Sequence, residues 1–341
     1  MLWFPVFIAF WIALGLTRRF LSPASRLHIL DHPNDRSLHD TPVPRTGGVA
    51  IAAALAVGAA IAAAIVPLPP ALGWVGAGAV LLAAVGFLDD RTGIGPGRRL
   101  LVHLVAAGLV VAAGLGLGRI ALPGVSLALA APLGGVITVL FVVWLVNLYN
   151  FMDGMDGFAG GMAVFGFGGL AVFGLLGHDP AFAVLNGMVA AAAAGFLVYN
   201  FPPARIFLGD AGSSVLGYLA GVSSLWGVRA GLFAIWVPVL VFSPFIVDAT
   251  VTLVRRALSG DRVWEAHRSH YYQRLVRLGW GHRRTVLAEY MVMAAAVGSA
   301  LGARWLAVEW QWVLLAFWVL AYAVVSMRVE VLERRRGAGA R

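Results

Sequence analysis

The sequence contains neither cysteine nor lysine. The first absence excludes a disulfide framework and any metal site or cluster held by thiolates. The second leaves arginine as the only permanently cationic side chain, with 25 basic residues against 16 acids and a formal charge of +9. Charge of either sign is scarce: 12% of the 341 residues are charged and 60% are hydrophobic, whereas a soluble domain carries about 25% charged residues. A water-soluble globular protein is therefore excluded. Disordered and collagen-like chains are excluded too, because there is little charge and no three-residue glycine period. What is plentiful is glycine, 42 residues, together with alanine, a composition suited to helices packed closely in lipid.

A helix needs roughly 20 apolar residues to cross a bilayer. Apolar runs at 1–17, 47–66, 71–88, 100–118, 133–149, 158–177, 181–199, 211–228, 230–247, 286–303 and 310–327 predict an all-α polytopic membrane protein with eleven spans. The segment 120–132, interrupted by Pro123 and Pro132, is too short to span and is expected to be a loop or a partly re-entrant piece. The first run has no basic residue before it and Arg18 and Arg19 directly after it, which reads as an uncleaved helix with its amino end outside.

Threading from that start puts 22 of the 25 arginines in 17–46, 89–99, 150–157, 200–210, 248–285 and 328–341, all on one side. Only Arg119, Arg229 and Arg304 fall opposite. Basic residues collect in cytoplasmic loops, so that side is the cytoplasm, with the C-terminus in it. The positive charge is then a topology signal with some affinity for anionic headgroups, and nucleic acid is not an expected partner. Residues 1–341 are expected to form one integral membrane catalytic domain, with a long cytoplasmic loop at 248–285 and a basic tail at 328–341. Among the acids only Asp179 and Glu309 lie outside and Glu289 within a span. Ionisable groups are costly near a membrane, so their collection at one face implies a single cytoplasmic site.

The third span ends in Asp89-Asp90. Adjacent carboxylates point in different directions from a helix, so they should not share one role; in isolation they would be a solvated helix end. The fifth span ends in Asn147-Leu148-Tyr149-Asn150-Phe151-Met152-Asp153-Gly154-Met155-Asp156-Gly157. Asp153 and Asp156 share a face if the helix persists, as do Asn147 and Asn150. Glycine after each Asp permits close backbone approach to a ligand.

In the 200–210 connection Asp210 sits where the next helix begins, a natural N-cap position, but capping leaves Phe207 and Arg205 without a purpose. His267 and His270 would share a helical face in the longest loop, with Arg268 and Arg274 around them. Two histidines without a third ligand make a weak zinc site, and the arginines favour an anion such as phosphate. The first loop, with Arg36, His39 and Arg45 among acids and prolines, would alone be a polar linker. His103 is expected to be a packed histidine, and Pro238 and Pro244 are expected to kink the ninth span.

Carboxylates with an amide oxygen suit Mg²⁺, with Mn²⁺ as the alternative ion, because Mg²⁺ usually binds one or two protein carboxylates plus substrate phosphates. Arginine and histidine suit the phosphates, and Phe207 beside a metal-site Asp suits a stacked base. The implied reaction is metal-assisted phosphoryl transfer from a soluble nucleotide donor to an acceptor dissolved in the bilayer.

With Asp89-Asp90, the Asn-x-x-Asn-x-x-Asp-Gly-x-Asp-Gly run at 147–157, Phe207-Leu208-Gly209-Asp210 with Ala211-Gly212-Ser213, and His267-x-x-His270 in this order, the chain resembles the polyprenyl-phosphate N-acetylhexosamine-1-phosphate transferases. This family includes the phospho-MurNAc-pentapeptide translocase of peptidoglycan synthesis and the bacterial initiators of O-antigen, hence of lipopolysaccharide, and of teichoic acid. The resemblance covers nearly the whole chain. It implies attack by an undecaprenyl phosphate oxygen on the sugar-linked phosphorus of a UDP-sugar, with UMP leaving, in the bacterial cytoplasmic membrane; a homodimer is compatible with it.

By resemblance, Asp210 and Asn150 would hold Mg²⁺, Asp156 and Phe207 would recognise uracil, and Asp153 would line the nucleotide-sugar site. His267, His270 and Arg268 would meet sugar and phosphates, while Asp89 and Asp90 would handle the lipid phosphate. Direct attack by the lipid phosphate is the preferred route, since a phosphate monoester has a second pKa of about 6 and is mostly ionised at neutral pH. Departures from the family pattern bear on the donor. With no lysine present, any family lysine's role passes to an arginine such as Arg36 or Arg45, with His39 beside them, or is lost. Two separated histidines replace the run of three found in the peptide-donor enzymes, which favours the branch using UDP-N-acetylhexosamines. The rival readings are the peptide-donor translocase and, from another class, a transporter; a transporter would place its ionisable groups near mid-membrane in matching halves.

Overall fold

In the computed structural model the described residues are 1–33, 38, 40–262 and 267–338. Each of the eleven apolar runs lies on a helix: α1 Phe4–Phe20, α2 Gly47–Ala63, α3 Leu72–Thr92, α4 Pro96–Ala112, α5 Ala131–Phe151, α6 Phe158–Leu176, α7 Pro180–Asn200, α8 Gly209–Arg229, the pair α9 Trp236–Val241 and α10 Ser243–Leu258, then, after the short α11 Tyr271–Leu275 and a π turn at Val276–Trp280, α12 Gly281–Gly302 and α13 Val308–Ala338. Among the described residues, six helical stretches are long and apolar enough to cross a membrane: Leu72–Thr92, Ala131–Phe151, Phe158–Leu176, Pro180–Asn200, Tyr271–Trp305 and Val308–Arg335. Proline stands in the first turn of α1, α4, α5, α7 and α10, where its missing N–H has no intrahelical acceptor to serve.

Helix α8 is buried along nearly its whole length. Its sequence explains why: Gly212, Ser213, Ser214, Gly217, Ala220, Gly221, Ser223 and Ser224 are small enough for neighbouring backbones to approach. Helices α3 and α5 lie along it, while α7 packs between α1 and α6. Two glycines set the closest approaches. A Cβ on Gly48 would stand 2.1 Å from the backbone N of Gly212, and one on Gly86 would stand 2.6 Å from the Asp210 carbonyl oxygen and the Ala211 N. The amino end of α8 is thereby wedged between the start of α2 and the end of α3, and this wedge positions the site.

The structure differs from the sequence-based expectation in several places. Segment 120–132 is more ordered than a bare loop: β3 Arg119–Leu122 and β4 Val125–Ala128 form an antiparallel hairpin around Pro123-Gly124, a dipeptide that marks a turn. The ninth run is broken rather than kinked, with α9 ending at Val241, Phe242 between, and Pro244 in the first turn of α10. The stretch 248–285 is largely helical, since α10 continues to Leu258 and α11, the π turn and the start of α12 follow from Tyr271. The basic tail continues α13 as helix as far as Ala338. A two-residue ladder pairs β1 Leu30–Asp31 with β2 Val43–Pro44 and closes the base of the first loop.

Candidate active site

The amino end of α8 is held by two chain segments, the first loop where it runs into α2 and the end of α3. From the first loop, the N–H groups of Gly47 and Gly48 donate to the carbonyls of Phe207 and Leu208 at 2.9 and 2.7 Å, and the Phe207 N–H donates to Pro44 at 2.7 Å. From α3, the Asp90 carboxylate accepts from the backbone N–H of Asp210 at 3.2 Å and of Ala211 at 3.4 Å. Arg45 in turn grips Asp90, with Nε 3.6 Å from Oδ1 and a guanidinium N–H donating to the Asp90 carbonyl. Its Nη1 also lies 3.4 Å from Asp31. Asp90 thus anchors α8 from outside, and its own side chain is 3% exposed.

Asp89 points elsewhere, as adjacency on a helix requires. It accepts from the Ile94 N–H and from Arg99 Nη1 at 2.8 Å. The same Arg99 nitrogen donates to Asp210 at 3.0 Å. Asp210 stands in the first turn of α8 and makes no cap bond; the N-cap residue is Leu208. Its carboxylate instead accepts from Asn150 Nδ2 at 2.6 Å, and that amide also donates to Ser213 at 3.1 Å. Asn147 turns away and donates to the Val143 carbonyl in its own helix.

Helix α5 stops at Phe151, so Asp153 and Asp156 do not share a helical face; the expectation of a continuing helix fails because Gly154 and Gly157 follow. Asp153 sits among carboxylates. Burial pushes its carboxyl well above the usual range, Asp210, Asp90 and Asp31 add to the rise, and the Gly209 N–H opposes it. Asp156 has both oxygens engaged: Oδ2 accepts from the Ala204 N–H at 2.9 Å and Oδ1 lies 3.0 Å from His282 Nδ1. His282 Nε2 is 3.2 Å from the Leu38 carbonyl. Asn200 ties the same loops, its Oδ1 accepting from Gly157 and its Nδ2 donating to Ile206.

His267 and His270 do not lie on one helical face, because α11 begins only after His270, its N-cap residue. Their rings are nonetheless 4.8 Å apart. His270 stacks near Phe151 with centroids 6.3 Å apart, which brings the histidine pair under the 150–157 loop. Burial and the neighbouring His270 push the His267 imidazole down to about 4. The Ser269 N–H donates to its Nδ1, so Nε2 carries the proton of the neutral ring. Arg268 is exposed and lines a basic cavity of about 320 Å³ together with Arg255, Arg256, Arg274 and Arg277. His103 is packed and buried. The two first-loop candidates Arg36 and His39 lie outside the described residues.

The structure therefore gathers Asp89, Asp90, Asn150, Asp153, Asp210 and Arg45 in one place, with Asp156, Phe207 and the histidine pair on the segments around it. Sequence reading missed Arg99, Asn200 and His282. Arg99 opens α4 one turn after Pro96, and none of the three carried a signal in the sequence, because each meets its partners only through the fold.

Among the described residues, no group of three or more His, Asp or Glu side chains is gathered tightly enough to hold a metal alone. Mg²⁺ does not need such a cage, since waters and substrate phosphates complete its shell. Asp210 offers a carboxylate to such an ion and Asn150 stands beside it, its amide oxygen joining as a ligand once the amide turns from its present bond to Asp210; the crowding of carboxylates around Asp153 supplies the negative field a cation would relieve.

The family profile described as glycosyl transferase family 4 matches residues 72–228, from the start of α3 almost to the end of α8. The chain is 31% identical over 299 residues to the "Probable undecaprenyl-phosphate N-acetylglucosaminyl 1-phosphate transferase" of Bacillus subtilis, covering 84% of this chain and 82% of that one. It is 32% identical over 319 residues to the decaprenyl-phosphate N-acetylglucosaminephosphotransferase of Mycobacterium tuberculosis, covering 81% and 76%. It is 29% identical over 280 residues to the phospho-N-acetylmuramoyl-pentapeptide-transferase of Shouchella clausii, covering 76% and 83%. A multi-pass membrane protein with its acids and amides gathered at the ends of α3, α5 and α8 is the class the fold defines. Within that class, the chain belongs to glycosyl transferase family 4, among the polyprenyl-phosphate sugar-1-phosphate transferases.

Proposed function

We propose that this protein transfers an N-acetylhexosamine 1-phosphate from a UDP-sugar to undecaprenyl phosphate in a bacterial cytoplasmic membrane, releasing UMP and starting a lipid-linked cell-envelope glycan. Eleven spans with the amino end outside and the carboxyl end in the cytoplasm would put the site at the inner face. The observation that carries the reading is the junction of Asp89, Arg99, Asp210 and Asn150 where three apolar helices end together. It offers oxygen ligands and cationic donors, and at a membrane surface these would be within reach of both a lipid phosphate and a soluble nucleotide.

A lipid phosphate oxygen bonds to the sugar-linked phosphorus while the bond from that phosphorus to the UMP oxygen breaks, and the electron pair leaves with UMP. The physical obstacle is the approach of two anions. Asp210 and Asn150 would hold Mg²⁺, whose charge would offset that of the diphosphate. Arg99 and Arg45 stand at the site with guanidinium donors suited to phosphate oxygens. Both oxygens of Asp90 are occupied by the N–H groups of α8, and those of Asp89 by Ile94 and Arg99. Neither is a free nucleophile, which supports direct attack by the lipid phosphate. Asp153 and Phe207 would line the nucleotide side, and Asp156 would act there by fixing the 200–210 loop. His267 would offer Nε2–H to the sugar or its phosphate, with His270 behind it and Arg268 at the rim. The N-acetylglucosamine relatives and the separated histidines favour a UDP-N-acetylhexosamine over the peptide-bearing donor.

The test is to incubate purified protein with undecaprenyl phosphate, Mg²⁺ and a panel of UDP-sugars and to measure UMP. Release with UDP-N-acetylhexosamines supports the reading; no release with any donor, from folded protein, removes it.

A further inference from the structure

Helix α10 carries a carboxylate that none of the chemistry above uses. Asp248 is 10% exposed and lies beside the histidine pair rather than beside the acids of α3 and α8. Its Oδ1 accepts from the Tyr271 N–H at 3.0 Å, from Thr252 Oγ1 at 3.1 Å and from His270 Nδ1 at 3.2 Å; its Oδ2 accepts from the Tyr272 N–H at 3.1 Å. The first two N–H groups of α11, which no intrahelical carbonyl can satisfy, are thus capped by a residue on another helix. One imidazole nitrogen is fixed by the same group.

We propose that Asp248 is the positioning residue of the donor side of the site. It fixes the His270 ring by Nδ1 and sets where α11 begins, and the ring so fixed supports His267 and packs under Phe151, next to Asn150 and Asp153. The consequence reaches the 150–157 loop by a second contact, since Tyr272 Oη donates to the Phe151 carbonyl at 3.1 Å. With Nδ1–H committed to Asp248, Nε2 is the ring atom left to face the donor; an imidazole's partner on one nitrogen decides what the other can do. Thr252, one turn along α10, holds the carboxylate in its rotamer. The inference rests on the donor-side placement of His270 in the proposed function.

The experiment compares Asp248→Asn, His270→Ala and the double variant, with Asp248→Glu as the conservative control, by measuring UMP release against UDP-sugar and against undecaprenyl phosphate separately. Asparagine keeps the size but removes the charge that holds the His270 N–H, and since three donors meet at Oδ1 its NH2 turns toward the Tyr272 N–H and breaks that cap. We expect a KM for the UDP-sugar raised about tenfold in Asp248→Asn with the lipid KM unchanged, partial recovery in Asp248→Glu, and a double variant no worse than His270→Ala alone. Additive losses in the double variant, or a parallel fall in every kinetic constant together with the melting temperature, would reduce Asp248 to a helix cap and overturn the proposal. If His270→Ala leaves donor use intact, the donor-side placement of His270 falls. If His270→Ala impairs it and Asp248→Asn does not, only the role of Asp248 falls.

Discussion

A single nitrogen of Arg99 bridges the carboxylates of Asp89 and Asp210, at 2.8 and 3.0 Å, and so ties the end of α3 to the start of α8. The guanidinium occupies part of the field that a divalent ion would also seek. Arg99→Ala should therefore have two opposed effects. The Mg²⁺ concentration for half-maximal UMP release should fall severalfold, because a competing cation is gone. The turnover number should fall at least tenfold, because the charge developing in transfer has lost a donor. An unchanged Mg²⁺ dependence in a titration of the variant would sink the competition argument.

Metal removal gives a separate check. EDTA should stop UMP release by the wild-type protein and added Mg²⁺ should restore it, whereas Asp210→Ala should stay below about one hundredth of wild-type turnover at any Mg²⁺ concentration. Near-normal activity of Asp210→Ala would refute its assignment to the metal.

Helix proximity is as much a part of the site as its acids. In Gly86→Ala the new methyl would lie 2.6 Å from the Asp210 carbonyl and the Ala211 N, both backbone atoms. Overpacking of this kind typically costs about 1–3 kcal/mol. Because the atoms displaced carry Asp210, turnover should drop more than the fraction folded does. The check is thermal melting in detergent beside UMP release measured well below the transition; equal losses in both would mean that the contact is purely structural.

Much of this was legible beforehand, and the reasons are physical. Apolar runs must satisfy their backbones internally in lipid, so helices fall where hydropathy places them, and polar residues stranded at the ends of those runs mark Asp89, Asp90, Asn150, Asp153 and Asp210, which the structure gathers. Local pattern failed where long-range contacts decide the conformation. Asp210 reads as an N-cap from its neighbours, yet Asp90 takes the cap's place from α3 and frees Asp210 for Asn150 and Arg99. His267 and His270 read as a helical pair, yet Asp248 starts the helix after them. Arg99 was passed over because ten residues of separation from Asp89 carries no periodic signature; the turn between α3 and α4 creates the contact.

His282 was invisible for the same reason and yields its own prediction. It joins Asp156 to the Leu38 carbonyl, while Asp156 holds the Ala204 N–H. Three connections of the chain meet through that carboxylate. His282→Ala should loosen the nucleotide side, raising the KM for the UDP-sugar several times while leaving the lipid KM unchanged. A variant with wild-type donor KM would show that Asp156 needs no partner from α12.

His267 provides the pH dependence. Its folded pKa, about 4, lies below the ordinary 6.5, with burial the main cause and His270 the second. Between those values the unfolded chain binds a proton that the folded one refuses, so stability rises with pH across this window. The contribution is fully present above about pH 6.5 and is lost as pH falls through 4. His267→Gln removes the titrating group, so its melting temperature should decline less than that of the wild type on going from pH 7.5 to pH 5. Activity in the same interval should follow the substrates' phosphates, because the ring is already neutral at pH 7. If the two proteins lose the same number of degrees on acidification, the imidazole is not held neutral by its surroundings, and the donor bond assigned to its Nε2 would need another source.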